Sequence, residues 1–205
     1  MNLKTIWRVL ITRTHWKSRL GRLGSHCTIY KPILIGNPSR IFIGNRCQIR
    51  DFARLEVINR PELGWDSKLT IGDNVNIEQN VHIICQCQVT IEDDVSITPS
   101  VAIVDTYHPH DPPDIGEKIG NRLPSTPTFV HIGRGTFIGT QSVILPNTRI
   151  GKGCVIGAGS IVKGDVPDYS IAAGNPARIL SQFNLETRTW TKLSSSIPIN
   201  RRGNS

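Results

Sequence analysis

An aliphatic residue returns at every sixth position along most of this 205-residue chain. From Ile71 the blocks read IGDNVN, IEQNVH, IICQCQ, and two residues later the frame resumes as IEDDVS, ITPSVA, IVDTYH. After a break it returns as IGRGTF, IGTQSV, ILPNTR, IGKGCV, IGAGSI, VKGDVP; upstream, IGNRCQ, IRDFAR and LEVINR fit from Ile43. A period of six matches neither the 3.6-residue helix nor the two-residue alternation of a strand. It matches a solenoid in which short strands alternate with turns. β-Branched residues favour the strands, and Gly, Asn and Asp at positions two to four supply the turns. Three blocks make one coil of triangular section, and coils stack about 4.8 Å apart. Position one fills the interior. Position five, held by Val75, Val81, Val95, Val101, Thr136, Ser142, Thr148, Cys154 and Ser160, fills the corners. The frame predicts about five coils of an all-β parallel β-helix.

Composition agrees. Hydrophobic residues make up 38% but aromatics only 6%, so the core is built from Ile, Val and Leu. No apolar run approaches the roughly 20 residues that span a bilayer, and no apolar segment with a small-residue cleavage site suggests a signal peptide. Five cysteines, an odd number with no C-x-x-C pair, point to free thiols in a reducing compartment. Cys47, Cys87 and Cys154 occupy fifth positions, where a small apolar side chain belongs.

The net charge of +8 is uneven. Residues 1–22 hold Lys4, Arg8, Arg13, Lys17, Arg19 and Arg22 and no acid, whereas the body is nearly balanced. That excludes a uniformly basic nucleic-acid-binding domain. It leaves two readings of the basic segment: a solvated helix face, or contact with an anionic membrane surface or acidic glycan. An open solenoid needs caps over its strand edges. Residues 1–28 are therefore expected to be a helical cap and 29–174 the β-helix, with loops at 59–68 and 109–129. Residues 175–193 are expected as a C-terminal cap helix and 194–205 as a disordered tail.

The second loop begins at IVDTYHPHDPP, residues 103–113. His108 takes the sixth position of its block, on the outside of the corner where the loop departs. Counting by coils sets Gln88 one turn before it and Arg149 one turn after. Loops that leave a rigid scaffold commonly carry function.

The segment D-T-Y-H-P, residues 105–109, resembles the active-site segment of sugar O-acetyltransferases of the maltose, galactoside and bacterial surface-polysaccharide types. FIGTQSVILPNTRIGKGCVIGAGSIVKGDVPDYSIAAGNPAR, residues 137–178, resembles their C-terminal half. These are hexapeptide-repeat acyltransferases, and the resemblance implies a left-handed coil. It implies acetyl-CoA as donor, direct transfer, no metal, and a homotrimer with sites between subunits. His108 then serves as general base, since an imidazole accepts a proton from a sugar hydroxyl at neutral pH. Asp105 either orients the ring or shapes the turn. The backbone amide around Thr140 serves the oxyanion. Thr140, Ala158 (through backbone), Lys163 and Arg178 contact the donor, and Glu78, Tyr107 and Arg149 face the acceptor.

The match departs from the family at Phe137, where Trp is common, at Lys163-Gly164, where Thr-Lys is common, and at Glu78, where an Asn binds the acceptor. The resemblance further implies a bacterial surface polysaccharide or its lipid-linked precursor as acceptor, and the basic N-terminal segment motivates a cytoplasmic place near the inner face of the plasma membrane. Three alternatives stand beside it: N-acetylation of an amino sugar or nucleotide sugar, a non-catalytic scaffold, and a γ-type carbonic anhydrase. The last would draw zinc ligands from His82, His108, His110 and His131, whose spacing does not present that ligand set.

Overall fold

The computed structural model describes residues 3–113 and 116–199. Short parallel strands wind around three faces in turn. The first face stacks Arg22–Leu23, Ile41–Ile43, Lys68–Ile71, Gln88–Ile91, Phe129–Ile132, Thr148–Ile150 and Asp165–Val166. The second runs from Thr28–Ile29 to Ser170–Gly174, and the third from Leu34–Gly36 to Ile161–Val162. Isoleucines stack in register from coil to coil: Ile71, Ile91, Ile132 and Ile150 on the first face, and Ile77, Ile97, Ile138 and Ile156 on the second. None of these eight exceeds 2% exposure.

The fifth positions point inward as expected, and their hydroxyls are satisfied there. Thr136 Oγ1 donates to the Gly151 carbonyl at 2.9 Å and Ser142 Oγ to the Gly157 carbonyl at 3.0 Å. A buried hydroxyl without such a partner would be costly. Corners turn through left-handed residues such as Asn74, Asn80, Asp94 and Asn147, a conformation that Asn and Asp tolerate better than other side chains. Successive coils meet closely at these corners: a Cβ on Gly139 would lie 2.6 Å from the Ala158 nitrogen.

The coil begins at Arg22, earlier than the expected boundary at 29. Leu23, Ile29 and Ile35 pair with Ile43, Ile49 and Leu55. The hexad frame thus extends upstream but slips by two residues between Ile41 and Ile43, which hides it from a count started at Ile43. The first face carries seven strands among the described residues, so the coils outnumber the five expected.

Both caps differ from expectation in part. Helix α1, Leu3–Ile11, continues into a π-turn at Thr12–Trp16. Buried Thr12 joins it to the first coil, its Oγ1 accepting the Ile29 N–H at 2.8 Å. At the other end there is no helix over 175–193. Ala177–Asn184 and Thr189–Pro198 form an antiparallel hairpin added to Ser170–Gly174 on the second face. That last coil strand presents an unpaired row of N–H and C=O groups, and strand pairing satisfies it where a helix could not. Asn184 closes the turn by accepting the Glu186 and Thr187 amides at 2.8 and 3.1 Å. Residues 194–198 of the expected tail lie within the second hairpin strand; residues 200–205 lie outside the described residues. Residues 58–67, and residues 105–113 with 116–128, connect third-face to first-face strands, where loops are expected at 59–68 and 109–129.

Candidate active site

The long loop springs from third-face strand Ala102–Val104. Its first residue, Asp105, is fully buried. The carboxylate accepts the backbone N–H groups of Gln86, Cys87 and Gln88 at 2.5, 2.7 and 2.7 Å. Burial pushes this carboxyl up, and the three amides work against that shift. The Thr106 hydroxyl bonds the Gln86 side chain. Asp105 is thus a turn-former and not the orienting partner of His108; of its two expected roles, the structural one is seen.

The same corner corrects the coil count. Ile83 to Ile91 spans eight residues instead of six, and the two extra residues widen the turn that Asp105 fills. Gln88 therefore pairs with Phe129, and Arg149 with His131; neither flanks His108.

His108 is exposed, three residues further along the stem. Its Nδ1 lies 3.0 Å from the backbone carbonyl oxygen of Arg122. A carbonyl only accepts, so this contact places the proton of the neutral ring on Nδ1 and leaves the Nε2 lone pair outward. Arg122 is 6% exposed and cinches the loop with its side chain. Nη1 donates to the Pro112 carbonyl at 2.9 Å, while Nε and Nη2 donate to the Glu117 carbonyl at 3.2 and 2.9 Å. Sequence reasoning missed this residue, because one arginine in an aperiodic loop carries no pattern.

The residues expected to contact the donor fall into two pairs. Thr140 and Ala158 stand exposed one coil apart on the corners between second and third faces. Gly159 N–H donates to the Thr140 carbonyl at 2.8 Å, and Thr140 Oγ1 donates to the Pro99 carbonyl at 2.6 Å. Lys163 and Arg178 line one cavity of about 310 Å³ with Leu145 and Pro198. The C-terminal hairpin forms one wall of that cavity, with Arg178 Nη1 donating to the Ser196 carbonyl at 3.3 Å.

His108 and Lys163 lie on the corner where the third face turns into the first. Thr140, Ala158 and Glu78 lie on the corner where the second turns into the third. About five strand residues, roughly 15 Å, separate the two ridges on one chain. Glu78 is engaged by Arg50, whose Nε is 3.6 Å away and whose guanidinium covers Tyr30 at 4.9 Å. One chain therefore brings Glu78 no nearer to His108 than the far ridge. Tyr107 stands exposed beside His108, and Arg149 lies over the Phe129 ring at 5.8 Å on the first face. Among the described residues no cluster of three or more His, Cys, Asp or Glu could hold a metal. The described cysteines, Cys27, Cys47, Cys85, Cys87 and Cys154, are free and buried.

Known proteins resemble this chain in sequence and in fold. Residues 129–164 match the bacterial transferase hexapeptide (six repeats) family. Over 202 residues the chain is 31% identical to the putative lipopolysaccharide biosynthesis O-acetyl transferase WbbJ of Escherichia coli K12, covering 93% of this chain and 92% of that protein. It is 38% identical over 122 residues to galactoside O-acetyltransferase of the same organism, covering 58% of this chain and 57% of that one. Among solved structures, AntD, an N-acyltransferase from Bacillus cereus in complex with dTDP and 3-hydroxybutyryl-CoA, superposes with a TM-score of 0.70 at 23% identity. That match covers 86% of this chain and 90% of AntD, and shows the fold alone. The chain belongs to the hexapeptide-repeat acetyltransferases. Both of these sequence relatives bear the name of an O-acetyltransferase.

Proposed function

We propose that this protein is an acetyl-CoA-dependent O-acetyltransferase acting on a sugar hydroxyl of a bacterial cell-surface polysaccharide or its precursor. The observation that carries the reading is the fixed ring of His108, with Nδ1 held by the Arg122 carbonyl and Nε2 turned outward. As the acceptor hydroxyl attacks the thioester carbonyl carbon, His108 Nε2 takes the hydroxyl proton. The C–O bond forms, the C–S bond breaks, and the imidazolium returns that proton to the departing sulfur. The products are an acetyl ester and a free thiol. An amide at the Gly139–Thr140 corner stabilises the carbonyl oxygen as it gains charge. Lys163 and Arg178, two cations in one cavity, suit the donor's phosphates.

The separation of the two ridges supports a shared site. A transferring thioester needs base and oxyanion donor within a few ångströms, and roughly 15 Å of strand lies between them here. Packing the His108 ridge of one copy against the Thr140 ridge of another closes that gap. A cyclic assembly repeats the contact for every copy, and a homotrimer of left-handed coils is the form we propose. In this reading Tyr107 and Arg149 face the acceptor, and Glu78 reaches it from the adjoining copy.

The basic N-terminal cap supports a position at the inner face of the plasma membrane. Ile6, Trp7 and Leu10 of α1 are each about half exposed, and exposed Ile33 lines a surface cavity with Arg8 and Ile11 of the same helix. Apolar side chains flanked by cations suit an anionic bilayer surface. No helix among the described residues is long and apolar enough to cross a membrane.

Product analysis tests the reading. Incubation with acetyl-CoA and a panel of bacterial glycans and amino sugars should yield an ester, recognised by its lability to hydroxylamine. A stable amide formed only on amino sugars would favour N-acetyl transfer instead.

A further inference from the structure

The insertion that breaks the repeat at Ile58–Ser67 has no part in the chemistry above, yet it is held firmly. Asp66 is bonded to Arg40 Nη1 at 2.6 Å, and Ser67 Oγ donates to the Gln86 carbonyl at 2.5 Å. Between these anchors and the returning long loop lies a cavity of about 560 Å³ on the first face. Trp65 forms one wall, half-buried; Phe129, Gln88, His131 and Arg149 form the floor and the far wall. Three of these side chains, Phe129, Arg149 and His131, already have partners. Arg149 covers the Phe129 ring at 5.8 Å, and His131 Nε2 lies 3.0 Å from Glu92.

The position matters as much as the lining. The amides of Cys87 and Gln88 that bind Asp105 belong to residues that also line this cavity. The cavity therefore opens on the first-face side of the corner that carries His108. The donor-side residues lie elsewhere: Thr140 and Ala158 on the far ridge, Lys163 further down the His108 ridge, and Arg178 across a shared cavity from it on the C-terminal hairpin. The first face is left to the acceptor.

A volume of this size falls in the ordinary range of small-molecule sites, about 300–1,000 Å³. Indole and phenyl faces beside an amide, an imidazole and a guanidinium suit a ligand with an apolar C–H face and a rim of hydroxyls. A pyranose ring has that shape. We propose that this cavity is a saccharide subsite that holds a neighbouring unit of the acceptor glycan while the reacting hydroxyl stands at His108. The proposal rests on the O-acetyltransferase reading for its placement of the acceptor.

The test is ¹⁹F NMR of the full chain labelled with 5-fluorotryptophan, the Trp65 resonance being assigned with Trp65→Phe. Maltotriose, chitotriose and a de-O-acetylated, delipidated lipopolysaccharide oligosaccharide are titrated without acetyl-CoA, with thymidine diphosphate as a separate arm. At least one saccharide should shift the Trp65 resonance. Trp65→Ala, with its folding checked by circular dichroism, should raise the ratio of oligosaccharide KM to monosaccharide KM about tenfold, the equivalent of about 1.4 kcal/mol. A shift with thymidine diphosphate alone, or no shift with any saccharide, overturns the subsite. So does an unchanged KM ratio. If a saccharide shifts Trp65 but no acetyl ester forms under any condition, the subsite stands and the O-acetyltransferase reading falls.

Discussion

At the scale of the residue, the base role proposed for His108 depends on the carbonyl that holds its ring. That carbonyl belongs to Arg122, whose side chain ties Pro112 and Glu117 into the same loop. Arg122→Met keeps the apolar stem but removes three hydrogen bonds. It should lower kcat by about tenfold to a hundredfold, a part of the roughly hundredfold or more that a positioned general base contributes, while KM for acetyl-CoA stays near the wild-type value. A matching rise in that KM would mean that the loop serves donor binding instead.

His131 offers a second residue-scale prediction. Burial lowers its pKa, the Arg149 charge lowers it further, and Glu92 opposes both. A histidine whose folded pKa lies below its unfolded value, about 6.5, contributes stability that is whole above that value. The contribution is lost as pH falls through the window beneath it. Thermal melts should therefore show stability declining below about pH 6.5, and His131→Gln should flatten that decline. An unchanged slope would contradict the assignment. His108 was legible in the sequence because it sits in D-T-Y-H-P. Asp105 was legible as a residue of interest but not in its role, since only the folded corner shows that three amides claim its carboxylate. Arg122 was not legible, because its meaning lies in where the loop folds back.

At the scale of the element, the coil was plain in the sequence because one face of every strand needs the same residue type. The slip between Ile41 and Ile43 hid the first coil, and the extra residues between Ile83 and Ile91 displaced the expected neighbours of His108. Periodicity reports spacing, and a two-residue insertion changes which side chains meet without changing the pattern on either side. The C-terminal hairpin was misread for another reason. Ala177 and Ile179 are buried and alternate with exposed Arg178 and Leu180. That alternation is too short to outweigh a helical reading without the open strand edge beside it. The tight corners carry their own prediction. In Gly139→Ala the new Cβ would meet the Ala158 nitrogen at 2.6 Å and the Ile156 carbonyl at 2.7 Å, both backbone atoms. The coils must part there, so both melting temperature and transfer rate should fall. A variant that melts and reacts like wild type would show that the corners are looser than described.

At the scale of the whole molecule, charge and site lie apart. The first fifty residues hold ten Lys and Arg and no acid, while the rest of the chain carries fourteen basic and sixteen acidic residues. With exposed Trp7 and Leu10 on α1, that end should bind vesicles containing phosphatidylglycerol and release them as salt rises. The double substitution Trp7→Ala and Leu10→Ala should weaken co-sedimentation. Equal binding to purely zwitterionic vesicles, or none to either, would contradict the membrane-facing role. The ridges proposed to carry the chemistry lie further along the rod, a placement that would leave them open to a glycan presented from that surface and to a second copy of the chain.

The claim on which the others depend is that one outward imidazole nitrogen on this rod deprotonates a sugar hydroxyl. Initial rates of thiol release from acetyl-CoA, measured with an acceptor glycan for wild type and His108→Ala at equal folded concentration, test it most directly. The account predicts a loss of at least about a hundredfold for the variant, with the melting temperature unchanged because the ring is exposed. A variant that releases thiol at the wild-type rate would place the base elsewhere.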